Sequence, residues 1–145
     1  MMKIQSRANL DEAVALDAVR EHYGLDGTLT PLPGERDRNF LLEADGGVRY
    51  VVKASSPDER QEILEFENRM IARLAEHTKG LVPGVIAARS GETLIQHEEA
   101  TGATHRIRVI EFLPGELLAT VSHRSEALMT DIGRRMGELD SALGA

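Results

Sequence analysis

The spacing of apolar and polar residues predicts one helix and three strands in the first third of the chain. The helix runs from about Leu10 to Tyr23, with Asn9 as its cap and Gly24 at its stop position. Its apolar stripe contains Leu16, Val19 and Tyr23. The strands are predicted at Leu25 to Leu32, Asn39 to Ala44 and Val48 to Lys53. Because a turn of the hairpin type, Asp45-Gly46-Gly47, joins the last two, we expect an antiparallel meander.

A second helix is predicted to start in Ser55-Ser56-Pro57-Asp58-Glu59 and to continue to about His77. A serine cap, a proline in the first turn and acidic residues near the positive end of the helix dipole are typical of a helix start. The expected buried stripe has helical spacing and consists of Ile63, Phe66, Met70, Ile71 and Leu74.

The second half of the chain alternates short strands with turns and ends in a helix. Strands are predicted at Val85 to Ala88, Thr93 to His97 and Thr104 to Phe112. The last helix, from about Ser125 to Leu143, should bury Leu128, Ile132, Met136 and Leu139. This order of elements predicts an α+β fold with an antiparallel sheet of about five strands, rather than a parallel α/β fold.

Composition narrows the class of protein. The chain has 145 residues, a formal net charge of −7 and no cysteine. The negative charge argues against a nucleic-acid surface, and the lack of cysteine excludes disulfides and thiolate metal sites. No apolar stretch approaches the length of a membrane span, and Met1 to Arg7 has no apolar core of the kind found in secretory signals. We therefore expect a cytoplasmic protein that binds neither nucleic acid nor membrane.

One lysine lies in the middle of this pattern. The chain contains three lysines against fourteen arginines, and Lys53 closes an apolar strand. A compact ammonium differs in function from a planar guanidinium, and an ammonium can receive phosphate oxygens. Glu67 follows fourteen residues later in the predicted second helix, and packing of that helix on the sheet can set its carboxylate against the ammonium. The alternative is a lysine at a strand end that reaches solvent.

Four segments in order resemble the N-terminal lobe of the aminoglycoside phosphotransferase superfamily, and its hydroxylysine-kinase-like branch in particular. The first is Gly34-Glu35-Arg36-Asp37-Arg38-Asn39-Phe40. The second combines the strand Tyr50-Val51-Val52-Lys53 with Glu65-Phe66-Glu67-Asn68 in the following helix. The third and fourth are Arg108 to Gly115 and Met136 to Leu143. The resemblance implies a kinase-like lobe at 1–112, and a hinge with a linker helix at 113–145. It also implies ATP as cofactor and a small hydroxylated substrate as phosphate acceptor.

The same resemblance assigns roles to single residues. Lys53 would hold the α- and β-phosphates and pair with Glu67, while Val51, on the same face of the strand, would cover the adenine. Glu65 competes for the partner role, but Glu67 is closer to the expected buried stripe and matches the family position. The family's catalytic His-x-Asp loop and its Mg²⁺ ligands lie in a C-terminal lobe, so no catalytic or metal-binding residue is expected in this chain.

Two further segments are assigned with alternatives. Gly34 to Asn39 would lie over the phosphates, with Arg36, Arg38 or the Asn39 amide as donors, or it is a plain polar turn. In the first interpretation of the hinge, the carbonyl of Glu111 and the amide of Leu113 bind adenine. In the alternative, Pro114-Gly115 only terminates the strand.

Histidine and glutamate near residue 100 do not predict a metal site. His97, Glu98, Glu99 and His105 have no i, i+4 pair on a helix, so a solvated turn is expected.

A rival from another class is a non-catalytic binding or regulatory module that keeps the fold but lacks the Lys53–Glu67 contact. In either case the surface near the hinge and the last helix should be exposed and partly apolar, so the isolated chain is expected to self-associate.

Overall fold

A computed structural model describes residues 7–144, and Met1 to Ser6 of the predicted non-secretory N-terminus lie outside this range. The elements in chain order are α1 (Glu12–Tyr23), β1 (Gly27–Leu32), β2 (Arg38–Ala44), β3 (Arg49–Ala54), α2 (Gln61–His77), β4 (Val85–Ile86), β5 (Ile95–Glu98), β6 (Thr104–Glu111) and α3 (Glu126–Gly144), with a short 3₁₀ turn at Leu118–Thr120 before α3. In this part of the chain no helix is both long and apolar enough to cross a membrane.

The strands form one antiparallel sheet in the order β1-β2-β3-β6-β4, with β5 also paired to β6. The predicted meander of β1, β2 and β3 is confirmed, and six strands form where about five were expected. β4 and β5 occupy the same edge of β6: Val85 pairs with Ile110 near one end, and Ile95 pairs with Ile107 near the other. The α+β prediction is therefore correct.

The apolar core lies between α1 and one face of the sheet. Strand alternation directs Phe40, Val52 and Val109 to this face, and all three are fully buried. From α1, Ala15, Ala18 and Val19 are also fully buried against them. Tyr23 is 9% exposed, and burial raises the pKa of its hydroxyl to about 12.

The predicted helix stop at Gly24 is confirmed. Gly24 has φ 66°, a left-handed conformation that favours glycine. Its amide donates to the Arg20 carbonyl at 3.1 Å, and the Leu25 amide donates to the Val19 carbonyl at 3.4 Å. The start was placed too early, because α1 begins at Glu12 with Asp11, not Asn9, in the N-cap position. Leu10 precedes the helix and is buried in the core.

The start of α2 was also predicted too early, since the helix begins at Gln61. The serines before it are buried and bonded to the sheet and to the β1–β2 loop. The Ser55 amide donates to the Arg106 carbonyl, and the Ser56 amide donates to Asp37 Oδ1. The Arg106 side chain in turn donates to the Glu59 carbonyl at 2.8 Å. These tertiary hydrogen bonds hold 55–60 as a turn, which local helix signals do not reveal.

The buried stripe of α2 is rotated relative to the prediction. Leu74 is buried as predicted, and Met70 and Ile71 are partly buried. Ile63 and Phe66 are instead 41% and 55% exposed, whereas Leu64 and Asn68 are buried. The helix lies on the face of the sheet opposite the α1 core, where it meets the buried Arg108 of β6. A buried guanidinium needs polar acceptors, so α2 turns Asn68 rather than Phe66 toward the sheet.

α3 follows the expected range but buries little of its expected face. Three of the four expected residues are only partly buried, namely Leu128, Ile132 and Leu139, and Met136 is 65% exposed. The buried residue of α3 is Ala142, which lies near the C-terminal end of α2. The exposed apolar side chains of this region are Leu113, Leu117, Leu118, Met129, Met136 and Leu143. The expectation of a partly apolar, exposed surface around the hinge and α3 is met.

Candidate functional site

The Lys53 ammonium lies on the α2 face of the sheet and is bonded to a loop rather than to the helix. β3 alternation places Lys53 and Val51 on this face, opposite the buried Val52. Within residues 7–144, Lys53 Nζ has its ion pair with Asp37 Oδ2, at 3.8 Å. The two side chains are 23% and 29% exposed. The predicted Lys53–Glu67 ion pair is therefore wrong for this structure.

Glu67 is instead paired with Arg108. Arg108 Nη2 donates to Glu67 Oε2 at 2.8 Å, and Arg108 Nη1 donates to Asn68 Oδ1 at 2.7 Å. Asn68 extends the hydrogen-bond network to the segment before β5, because its side-chain amide nitrogen donates to the Thr93 carbonyl at 3.1 Å. The Arg108 side chain is 7% exposed and that of Glu67 is 40% exposed.

Strand register explains this exchange of partners. Lys53 pairs directly with Arg108 across β3 and β6, so two cations stand side by side on one face. Like charges in that position repel, and each is stabilised by an anion of its own. The guanidinium has a planar fork that can bond two acceptors on α2 together, which an ammonium cannot match. Arg108 consequently forms its ion pair with Glu67 of α2, and Lys53 forms its ion pair with Asp37 of the β1–β2 loop.

The β1–β2 loop is folded tightly on itself. The Asn39 side-chain amide donates to the Pro33 carbonyl at 3.2 Å. A Cβ at Gly34 would lie 2.5 Å from the Asp37 carbonyl oxygen, so only glycine allows this approach of the backbone. Asn39 pairs with Lys53 in the sheet, and its Oδ1 is buried without a hydrogen-bond partner. The loop thus places Asp37 and Asn39 beside the lysine.

The two arginines of this loop are not directed at Lys53. Arg36 Nη1 lies 3.3 Å from Glu59 Oε2, which ties the loop to the turn before α2. Arg38 falls on the other face of β2, where its guanidinium lies 5.2 Å from the centroid of the Phe40 ring. Of the predicted phosphate donors, the structure brings only Asn39 next to Lys53.

Of the predicted adenine contacts, Val51 lies in an apolar row next to the lysine, and Glu111 and Leu113 lie at and beyond the end of β6. Val51 is partly buried and pairs with Leu41 on one side and Ile110 on the other, so three apolar side chains share this face. Glu111 ends β6, and its carboxylate accepts from the Gly84 amide at 2.9 Å. Leu113, 40% exposed, lies beyond the last paired residue of β6, so its amide is outside the ladder of the sheet.

Two residues of the site were missed from the sequence. Asp37 belongs to the segment that carries the resemblance, but its carboxylate is not among the predicted phosphate contacts of that segment. Arg108 could have been found from the alternation of β6, since it interrupts the run Ile107, Val109 and Ile110 with a charge. A charged side chain in a buried strand requires a polar or charged partner, so the sequence predicts an acceptor for Arg108 on the helix that packs on this strand, α2.

Asp131 has no place in this site. It lies within α3 with the guanidinium groups of Arg134 and Arg135 beside it. The hydrogen bond from Arg134 holds the pKa of this carboxyl below its usual value. Asp131 is thus part of an exposed ion-pair cluster on its own helix.

Comparison with known proteins places the fold in a family. A sequence model described as the phosphotransferase enzyme family matches residues 28–145. The chain belongs to this phosphotransferase family. A curated relative, hydroxylysine kinase of Danio rerio, is 26% identical over 96% of this chain and 40% of the relative. The chain therefore spans about 40% of the length of the curated relative that it matches.

Two solved structures share the fold. A microcompartment-associated aminopropanol kinase superposes with a TM-score of 0.70 at 22% identity, covering 90% of this chain and 40% of the kinase. The amicoumacin kinase hAmiN, in complex with AMP-PNP, Ca²⁺ and Ami, superposes with a TM-score of 0.72 at 18% identity, covering 92% of this chain and 40% of that kinase. At these identities the likeness concerns the fold, and the fold is that of kinases.

Proposed function

We propose that this chain is the ATP-binding N-terminal lobe of a small-molecule O-phosphotransferase. The family match supports a phosphotransferase, and the position of Lys53 supports a nucleotide site. Lys53 is a partly exposed ammonium on a sheet face, beside an apolar row and under a tight loop. Its ion pair with Asp37 is long, at 3.8 Å, so a phosphate with more negative charge can replace the carboxylate.

The proposed division of labour follows the contacts. Lys53 and the Asn39 side-chain amide bind phosphate oxygens. Val51 and its apolar neighbours cover one side of the adenine. The backbone of Glu111 and Leu113 forms hydrogen bonds with the edge of the adenine ring. Glu67 acts through Arg108, holding α2 against β6, and does not touch the nucleotide in this arrangement. Arg36 and Arg38 have other partners, so we assign them no phosphate contact.

The described residues do not provide the rest of a phosphotransferase site. No group of three carboxylate or imidazole ligands lies near Lys53 in 7–144. We propose that the Mg²⁺ ligands and the catalytic base are contributed by a second lobe, as the family resemblance implies. The apolar side chains exposed from Leu113 to Leu143 would contact that lobe, and in the isolated chain they would support self-association.

Binding of AMP-PNP with Mg²⁺ to the 145-residue chain tests the nucleotide site. We expect binding by titration calorimetry and a rise in melting temperature, because a ligand that binds only the folded state stabilises it. Lys53→Met should weaken binding about 10- to 100-fold, the value of one hydrogen bond to a charged group. Lys79→Met removes an exposed lysine at the end of α2 and is the matched control, with unchanged affinity.

A second variant tests the competition for the ammonium. Asp37→Asn keeps an oxygen for the Ser56 amide but removes the negative charge beside Lys53. AMP-PNP should then bind more tightly than to the wild-type chain. If the wild-type chain and Asp37→Asn both fail to bind AMP-PNP, or if Lys53→Met binds as well as the wild type, the ATP site is refuted.

One observation favours a second candidate, a non-catalytic module built on the same fold. The Glu67 carboxylate is held by Arg108, away from Lys53. If this arrangement persists in solution and AMP-PNP has no effect on melting temperature, the lobe serves binding or regulation rather than phosphoryl transfer.

A further inference from the structure

A cluster of two imidazoles and a carboxylate lies on the α1 side of the sheet, opposite Lys53. His22 comes from the last turn of α1, and His97 comes from β5, which is 75 residues away in sequence. Glu21 precedes His22 and brings its carboxylate to both rings. The two imidazole rings meet edge to face at 89°, with their centroids 5.4 Å apart.

The distances between the ring nitrogens match those of a tetrahedral metal. His22 Nε2 and His97 Nδ1 are 3.3 Å apart. Two zinc–nitrogen bonds of about 2.0–2.1 Å at a tetrahedral angle hold their nitrogens about 3.3–3.4 Å apart. The carboxylate oxygens of Glu21 lie 3.7 Å from His97 Nδ1 and 3.9 Å from His22 Nε2. An inward movement of roughly 0.5 Å would complete three corners of the tetrahedron, and Glu21 is exposed enough to make it.

Both histidines are held in place by contacts outside the cluster. His97 is paired with His105 in the β5–β6 ladder, and its side chain is 8% exposed. The carbonyl of His22 accepts from the Arg89 amide at 2.8 Å, which binds the end of α1 to the turn before β5. The ligands thus come from two anchored elements, so little order has to be gained on binding.

The electrostatic surroundings favour a cation. The C-terminal end of a helix carries partial negative charge, and Glu21 and His22 lie in the last turn of α1. Without an ion, the two imidazoles can share only one hydrogen bond between His22 Nε2 and His97 Nδ1. A metal satisfies both nitrogens and the carboxylate together.

We propose that Glu21, His22 and His97 bind one Zn²⁺, with water as the fourth ligand. With no cysteine in the chain, the nitrogen and oxygen donor set suits a divalent ion of this type. The ion links the last turn of α1 to β5 and stabilises the folded chain. Among residues 7–144 this is the single group of three such ligands.

The test measures Zn²⁺ binding to the metal-free 145-residue chain, in competition with a chromophoric chelator near neutral pH. We expect one tight equivalent per chain and a rise in melting temperature on addition of Zn²⁺. His22→Gln and Glu21→Gln, both at positions with exposed surface, should each weaken binding at least about tenfold. Co²⁺ in place of Zn²⁺ should give the strong visible absorption of a tetrahedral site.

His105→Gln is the matched control. His105 is a partly buried imidazole beside a glutamate, with Nε2 3.2 Å from Glu99 Oε1, and although its backbone pairs with His97 in the ladder, its side chain is not one of the three proposed ligands. It should leave the tight equivalent intact. The proposal fails if the wild-type chain binds Zn²⁺ no more tightly than a folded His22→Gln variant, or if His105→Gln weakens binding as much. AMP-PNP binding should be the same in all these variants, so this result is independent of the proposed ATP site.

Discussion

The two faces of the sheet are built on different principles. On the α1 face, Phe40, Val52 and Val109 are fully buried against the helix, and the contacts are apolar. On the α2 face the centre of the contact is Arg108, bonded to Glu67 and Asn68, with Lys53 and Asp37 beside it. One face excludes water, whereas the other keeps charged groups partly open to it.

This difference separates stability from binding. Apolar burial gives stability in proportion to area, without direction, and is tolerant of detail. A network of charges gives less net stability but fixes positions, and a cation with an exchangeable partner can accept a ligand. We therefore assign the folding energy mainly to the α1 face and the proposed nucleotide site to the α2 face. Four measurements would break or refine that assignment.

The largest effect is expected in the α1-side core. Phe40→Ala removes a fully buried ring, and the lost burial plus the remaining cavity should cost about 3–5 kcal/mol of unfolding free energy. Phe66→Ala on α2 is the matched control, because its ring is 55% exposed and its loss should cost about 0.5 kcal/mol or less. Urea denaturation measures both. Equal losses would show that the α2 face carries as much apolar packing as the α1 face.

A smaller loss is expected when the polar network is broken. Arg108→Met leaves Glu67 and Asn68 without their donor, and we expect roughly 2–3 kcal/mol, below the value for a fully buried pair because Glu67 is 40% exposed. Arg106→Met, which removes a bond to a carbonyl alone, should cost about 1 kcal/mol.

A double-mutant cycle identifies the partner of Arg108. Coupling with Glu67→Gln should be about 1 kcal/mol, whereas coupling with Glu65→Gln should stay within about 0.5 kcal/mol. Glu65 bonds to the Gln61 amide instead, so it is a fair control on the same helix. Coupling to Glu65 alone would contradict the geometry.

The last expected effect is a pH dependence of the α1-side core. Burial raises the pKa of Tyr23 to about 12, so the folded state keeps a proton that the unfolded state loses near pH 10. Stability must therefore fall as pH rises from 10 toward 12, by about 1.4 kcal/mol at pH 11 from this group. Tyr23→Phe should lack that part of the decline, and Tyr50→Phe should retain it. Identical slopes in all three proteins would contradict the buried hydroxyl.

Local patterns were sufficient for most of the architecture. The meander, the stop at Gly24 and the long strand to Glu111 follow from alternation, turn residues and helix spacing, which depend on neighbours within a few positions. The start of α2 does not follow from these patterns, because a hydrogen bond accepted by Asp37 and one donated by Arg106 hold 55–60 as a turn. Short-range signals of a helix start were outweighed by partners from distant strands.

The site shows the same limit more sharply. Alternation alone places Lys53 and Val51 on one face, and the resemblance to a kinase lobe follows from residue order. The partner of Lys53 does not follow from residue order. The β3–β6 register sets Arg108 opposite Lys53, and Arg108 forms the ion pair with Glu67. The contact of His22 with His97 likewise cannot be predicted along the chain, since it arises where the last turn of α1 meets β5, 75 residues away. Sequence order carries the periodicities that make helices and strands, whereas ion pairs and ligand clusters depend on distances between elements that packing alone sets.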